Sequence, residues 1–197
     1  IKIIKAKKWK LMLDVGANIG QSAVMARNAD INVISYEPSK DSFEVLMYNA
    51  KKYNFKAINK AIHNETTSIP LYISSKWNAC NSTRFKTAYN TPHQAIEIVE
   101  AINFLDVINL HKPDLIKIDI EGGEYDIINY LKNLPIFIKG IIIEIHNRDG
   151  IQDSAQANFL CSILEDQFNN FFYTTYLENK NFWIKIFHGL RNNGNIF

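Results

Sequence analysis

The sequence predicts an α/β domain: a doubly wound, mostly parallel sheet of seven strands that ends in a C-terminal antiparallel hairpin. Three observations carry that expectation. Short apolar runs alternate with segments of helical periodicity through the first three quarters of the chain. Those runs are nearly continuous Ile, Leu and Val, as in strands covered on both faces. The first run ends in an acid and is followed by glycines at 16 and 20, the strand–turn–helix opening of a nucleotide-binding unit.

Leu11–Val15 reads as a buried strand and Ile19–Asn28 as a helix. Ile31–Tyr36 supplies the second strand. After Pro38, Ser39 is the expected N-cap of a helix to about Tyr53. Phe43, Leu46, Met47 and Ala50 recur there at i, i+3, i+4 and i+7, one face of a helix packed on a sheet. Phe55–Ile62 reads as the third strand, Leu115–Ile120 as the fourth and Ile141–Ile145 as the fifth. A helix from about Glu124 to Leu134 connects the last two. A helix over Asp153–Asn169 and strands near Asn170–Leu177 and Asn181–Phe187 follow, the two strands joined tightly by Glu178-Asn179-Lys180. Asn64–His93 breaks the rhythm. Apart from a short edge strand near Ile69–Ile73 it is polar, and it reads as an irregular loop or cap over a site. Ile96–Phe104 fits either strand alternation or a helical period.

Composition narrows the function classes. The 197 residues are 47% hydrophobic and 21% charged, with a net charge of +2. That is the mix of an ordinary folded domain, and residues 1–197 are read as one. So small a charge gives no reason to expect a nucleic-acid partner. No run reaches the ~18 apolar residues of a membrane span, and no signal-peptide pattern opens the chain. Cys80 and Cys161 match no metal or redox spacing, which suits reduced thiols and a cytoplasmic location. The lysines at 2, 5, 7, 8 and 10 read as a solvated leading segment.

Chemistry is expected at the strand ends, where open α/β sheets bind their ligands. The turn after Asp14 lacks the Gly-x-Gly-x-x-Gly that seats a pyrophosphate on a helix N-terminus. Its Gly16-x-Asn18-x-Gly20 suits a cofactor without pyrophosphate, of which S-adenosylmethionine is the commonest. Glu37 closes the second strand 17 residues after Gly20, placed to accept hydrogen bonds from both ribose hydroxyls. An NAD-dependent oxidoreductase would use an acid in the same way, and it is Asn18 that counts against one. Lys117-Ile118-Asp119-Ile120-Glu121-Gly122-Gly123-Glu124 sets three acids around a glycine pair where a strand turns into a helix. Asp119 is expected beside the transferred group with Glu121 on the loop, a carboxylate there serving as general base. Glu124 reads as an acid favouring the positive end of the next helix. His146, with Glu144 two residues before it, follows the fifth strand and reads as a base or a substrate ligand. Asp119, Glu121, Glu144 and His146 would together suit a divalent cation. Such sets arise by chance in α/β clefts, and no metal is assigned.

In order and at family-like spacing, Asp14–Gly20, Tyr36-Glu37-Pro38 and Ile116–Glu124 resemble the FkbM family of S-adenosylmethionine-dependent methyltransferases. The resemblance runs from about Leu11 to His146. It implies the Rossmann-like class I methyltransferase fold with seven strands, and methylation of hydroxyl oxygens, with sugars and polyketide alcohols among the acceptors. It places Asp14, Gly16, Ala17, Asn18, Gly20 and Gln21 in the cofactor loop, Glu37 and Pro38 at the ribose, Ala61 in the adenine wall and Asp119 against the cofactor. Asn81-Ser82 resembles the Asn-Ser of a loop over the site; Asn81 and Ser82 by that resemblance, and Glu144 and His146 by their place after the fifth strand, are expected to meet the acceptor. Phe104-Leu105-Asp106 resembles the Leu-Asp before the fourth strand, favouring a strand near Ile96–Ile102 and a helix from Leu105. Gly123 stands where Ala is more usual. The expected activity is O-methylation of a hydroxyl, foremost in a saccharide, with Asp119, Glu121 and His146 as catalytic residues. Another acceptor (small molecule, nucleic acid or protein) and a cofactor-binding module without turnover are the alternatives.

Overall fold

The structure, a computed structural model, describes residues 9–75, 80–85, 93–146, 154–175 and 182–191. The larger of its two sheets has seven strands in the order β3-β2-β1-β7-β8-β10-β9. Five of them are parallel: β1 (Leu11–Val15), β2 (Asn32–Tyr36), β3 (Lys56–Ile58), β7 (Leu115–Ile118) and β8 (Gly140–His146). β9 (Phe168–Thr175) and β10 (Phe182–Arg191) pair antiparallel with each other, and β10 runs antiparallel to β8. The connection expected at Glu178-Asn179-Lys180 lies outside the described residues. From β1 the chain winds outward to β3, then crosses back to lay β7 on the other side of β1. That reversal opens a crevice beyond the C-terminal ends of β1 and β7.

Both faces of the parallel strands are covered, which is why their sequences show no polar alternation. Leu13, Val15, Ile116, Ile118, Ile141 and Ile143 face one buried cluster with α3 (Phe104–His111) and α5 (Ser154–Glu165). Met12, Val33 and Leu115 face a second with Trp9 and with Ala23 and Ala26 of α1 (Gln21–Arg27). α2 (Lys40–Tyr53) buries Ser42, Leu46 and Ala50, an i, i+4, i+8 stripe, and leaves Met47 exposed. Met47 therefore lies off the expected apolar face. Ser39 precedes that helix but makes no side-chain capping bond. Asn103 is the residue that caps, its side chain accepting from the amides of Leu105 and Asp106 at the start of α3.

Three sequence expectations are corrected. The single strand over Phe55–Ile62 is two: β3 ends at Ile58, and β4 (Ala61–His63) belongs to another sheet. The helix expected from Glu124 to Leu134 is a 3₁₀ turn at Gly123–Tyr125 followed by the short α4 (Ile128–Leu131). The Asn64–His93 loop contains the eight-residue β5 (Thr67–Ser74), which pairs antiparallel with β6 (His93–Asn103), itself parallel to β4. These three strands form a small second sheet, order β4-β6-β5, with Ile69, Leu71, Val99 and Ala101 on its buried side.

Two glycines fix how β1 ends. Gly20 stands at φ +91° before α1, and a Cβ there would lie 2.7 Å from Leu46 Cδ1. Gly16 stands at φ +74°, and a Cβ on it would lie 1.8 Å from the Asp119 carbonyl oxygen. The β1 and β7 ends touch backbone to backbone, and only glycine permits both the conformation and the approach. Gly16→Ala should therefore lower unfolding stability by roughly 2–4 kcal/mol, measured by urea titration.

At the opposite, N-terminal ends of the central strands, Asp114 accepts hydrogen bonds from the amides of Lys10 and Leu11 and pairs with the Lys139 ammonium. Burial alone would raise its pKa, but these bonds hold it below the ordinary value of 3.8. Its ionised form is thus favoured by folding, and that stability is present above pH 3.8 and lost as pH falls through the lower folded value. Asp114→Asn should destabilise the protein at pH 7, with the difference from the parent shrinking below pH 4 in parallel thermal melts.

Candidate functional site

A cleft of about 770 Å³, open mouth included, lies over the ends of β1, β2 and β7. Gly16, Asn18, Glu37, Ala61, Asp119 and Glu144 are in its wall. Glu37 is 7% exposed and is held by two amides. Its Oε1 accepts from Ser39 N at 2.9 Å and its Oε2 from Asn18 N at 2.7 Å. Asn18 reaches that position in the left-handed region, at φ +50°. Burial pushes the Glu37 carboxyl up to about 7, against the pull of the two amides. The loop is tied to β2 as well, since Gly16 N and Ala17 N both donate to the Tyr36 carbonyl.

Beneath the cleft floor sits Lys117, the one charged residue in an otherwise apolar β7. Its ammonium donates to the Gly16 carbonyl at 2.7 Å, and lies 3.2 Å from Asp119 Oδ2 and 3.6 Å from Asp14 Oδ1. Asp14 is fully buried, and among the described residues neither of its oxygens has a hydrogen bond of good geometry. Its pKa is raised, by burial first and by Asp119 as well, with Lys117 opposing. The Lys117 pKa is also raised, because Asp119 and Asp14 outweigh the effect of its burial.

A second charged group occupies the ends of β7 and β8. His146 is 1% exposed. Its Nδ1 lies 3.1 Å from Glu124 Oε1, and its Nε2 lies 3.2 Å from Glu121 Oε2 and 3.6 Å from Glu144 Oε1. Glu124 is wholly buried and also accepts from the amides of Ile120 and Gly122. Burial alone would depress the His146 pKa; the carboxylates of Glu124 and Glu121 instead hold it well above 6.5. Glu144 is raised to about 7 by its own burial and by the neighbouring Asp119.

The predicted site residues thus separate into distinct places. Gly16, Asn18, Glu37, Pro38, Ala61, Asn81, Asp119, Glu121 and Glu144 are brought together around one cleft. Asp14 and His146 lie behind its wall. Ala17 and Gly20 shape the turn, and Gln21 opens α1 with its side chain exposed. Asn81 bridges Ser74 N and the Ser39 hydroxyl. Ser82 is buried, and its hydroxyl donates to the Glu121 carbonyl. Sequence reasoning missed Lys117 and read Glu124 as a helix-end acid. A lysine inside an apolar strand was the available signal for the first. For the second there was none, because its partner lies 22 residues away.

Comparison with known proteins decides the family. A profile described as the methyltransferase FkbM domain matches residues 14–181. The chain belongs to that family. A hexuronic acid methyltransferase of Haloferax volcanii, AglP, is 24% identical over 142 residues, 72% of this chain and 58% of that protein. The FkbM domain described here thus spans less than two thirds of that relative. Among solved structures, an rRNA methylase from Streptococcus thermophilus gives a TM-score of 0.54 at 8% identity, covering 95% of this chain and 93% of that one. The C-terminal domain of precorrin-6Y C5,15-methyltransferase from Rhodobacter capsulatus gives 0.51 at 11% identity, covering 93% and 80%. Both are likenesses of fold: an α/β domain with a mostly parallel central sheet. Among the described residues no helix is long and apolar enough to cross a membrane.

The Lys117 arrangement is directly testable. Removing the cation leaves two carboxylates facing each other in a buried place, so Lys117→Met should cost about 3 kcal/mol of stability at pH 8. The loss should shrink as the pH is lowered, because protonation of Asp14, whose pKa is raised, removes one of the two facing charges; urea titrations across a pH series measure it.

Proposed function

We propose that this FkbM domain transfers a methyl group from S-adenosylmethionine to a hydroxyl of a saccharide, a hexuronic acid or a related sugar. The observation that carries the reading is Glu37. A buried carboxylate held between two loop amides, at the end of the second strand and in the wall of a cleft, is a receptor for a pair of vicinal hydroxyls. The rest of the cleft fits such a cofactor. Gly16 and Asn18 line it beside Glu37, and Ala61 and Ile62 give a small apolar wall. Glu37 would hold the ribose, the 16–18 turn the amino-acid portion, and Ala61 the base. The AglP relative supports a sugar acceptor.

Bound there, the cofactor supplies a methyl sulfonium, an electrophile that needs alignment more than activation. The task left to the protein is to hold an acceptor oxygen in line with it, and positioning of that kind is worth several kcal/mol. Asp119 and Glu144 line both this cleft and a second, largely apolar one against α1, of about 710 Å³. The acceptor oxygen belongs where the two meet. Asp119 is 29% exposed at that junction and steadied by Lys117 through Oδ2, and it takes the proton of the attacking hydroxyl. His146, already protonated between carboxylates, holds Glu121 and Glu144 in place in this reading.

Calorimetric titration with S-adenosylmethionine and its demethylated product tests the cofactor. Both should bind, and Glu37→Ala should weaken binding at least tenfold. Because the ribose hydroxyls must donate to a carboxylate, affinity should rise between pH 6 and 8, with a midpoint near the Glu37 value of about 7. No binding at any pH would sink the proposal. With labelled methyl donor and uronic acid glycosides, Asp119→Asn should lower turnover roughly 10²-fold or more while leaving cofactor affinity within a few-fold. Unchanged turnover would remove Asp119 from the base role.

A further inference from the structure

We infer that the outward face of the small sheet, centred on Ile98, is the surface through which two copies of this chain pair. In the β5–β6 register Pro70 stands opposite Ile98, Tyr72 opposite Ile96 and Ser68 opposite Glu100, so these six side chains share one face. The other face carries Ile69, Leu71 and Val99, which are buried. An antiparallel sheet with one covered face ordinarily turns polar residues outward on the other. Here two consecutive outward pairs are apolar or aromatic, and Ile98 and Ile96 are 73% and 55% exposed. Phe85 extends the patch. Its ring meets that of Tyr72 edge-on, with centroids 5.6 Å apart, and it is 66% exposed.

The same face is covered elsewhere along its length. Ile102 of β6 stands opposite Ile62 of β4, and both pack against the main core cluster. Past Glu100 the face runs out from the body of the domain and stays apolar, although the domain's own core no longer covers it.

Size, composition and shape select the occupant. Ile96, Ile98 and Phe85 alone leave roughly 400 Å² uncovered, the scale at which an apolar patch marks a contact site. With Pro70, Tyr72 and the polar rim of Ser68, Gln94 and Glu100, the face offers about 600 Å², the share of each partner in the smaller stable interfaces. Its centre is aliphatic and aromatic, the composition of an interface core. At its rim Lys60 pairs with Glu100 at 3.0 Å, which cancels the positive charge that would draw an anionic membrane. A flat apolar sheet face is complementary to itself, because two such faces stack about 10 Å apart. A twofold axis beside Ile98 sets the isoleucines of each copy against Pro70 and Tyr72 of the other. Tyr72 is joined through its backbone to Ser82, whose hydroxyl reaches the Glu121 carbonyl, so pairing also steadies a segment at the cleft. None of this depends on the methyl-transfer reading.

Analytical ultracentrifugation of the full chain across the micromolar range is the test. The expected result is a reversible monomer–dimer equilibrium. Ile98→Asp, a change at an exposed position, should weaken dimerisation at least tenfold and leave the circular-dichroism spectrum unchanged. In Ile98→Cys, mild oxidation should join two copies through residue 98, since the axis passes beside it. Leu110→Cys, 72% exposed on α3, should cross-link at least tenfold more slowly. A monomer at every concentration overturns the inference, and so does a dimer that Ile98→Asp leaves intact. Binding of the monomer to phosphatidylglycerol vesicles, abolished by Ile98→Asp, would give the face to a membrane and overturn it as well. Should Ile98→Asp lose its native spectrum, the cysteine variants decide, and cross-linking no faster at 98 than at 110 overturns the inference.

Discussion

The buried ammonium of Lys117 holds the floor of the cleft together. In the sheet register Asp14 pairs with Ser35 on one side and with Lys117 on the other, so a polar row crosses three strands that are apolar on either side of it. A lysine and an aspartate buried separately would each lose several kcal/mol of hydration. Side by side, with Asp119 and the Gly16 carbonyl within reach of the same ammonium, they become mutual partners. The consequence is geometric: the loop after β1 and the loop after β7 are bound to one point. The contact of Gly16 with the Asp119 backbone is the steric form of the same constraint.

With the floor fixed, the remaining charges divide by depth. Glu37 stands apart on the β2 side, held only by amides, which leaves its carboxylate free to meet neutral donors. The Glu121, Glu124, Glu144 and His146 group stands on the β8 side. There Glu124 does two things at once. Its oxygens satisfy the amides of Ile120 and Gly122, which have no strand or helix partner at that turn. The same carboxylate orients the His146 ring. The strand-to-helix turn and the imidazole orientation are thus one structural unit, which explains why a short 3₁₀ turn stands where helical periodicity suggests a longer helix.

The fold was legible because burial on both faces leaves a plain sequence mark. Val15, Ile116, Ile118, Ile141 and Ile143 are strand residues with no polar alternation, and their ends carry the acids that line the cleft. Glu37 was legible by its place at the end of the second strand, 17 residues after Gly20. What could not be read is set by contacts distant in sequence. Ala61–His63 continues an apolar run, and nothing local says that it leaves β3 to join β6, some 40 residues on. Met47 fits the helical period of its neighbours, yet α2 meets the sheet through Ser42, Leu46 and Ala50. Asn103 and Ser39 are equally good capping residues by type; the second is drawn instead into the Glu37 and Asn81 network. Glu124 looked like a helix-end acid, because its partner His146 is brought to it only by β8 lying beside β7.

That network also joins the small sheet to the cleft. Ser82 pairs with Tyr72 of β5 through both backbone bonds, 2.8 and 3.1 Å, so the 81–82 segment moves with the small sheet. From there Asn81 reaches Ser39, whose amide holds Glu37, and Ser82 reaches the Glu121 carbonyl at 2.7 Å. One rigid strand pairing therefore touches both the carboxylate on the β2 side and the acids on the β8 side. The two hydrogen bonds tie the small sheet to both halves of the cleft. A loop free of the sheet would tie it to neither. The small sheet thus belongs to the cleft as much as the strand ends do, and Asn81 and Ser82 meet backbone groups with their side chains, the Ser74 amide and the Glu121 carbonyl.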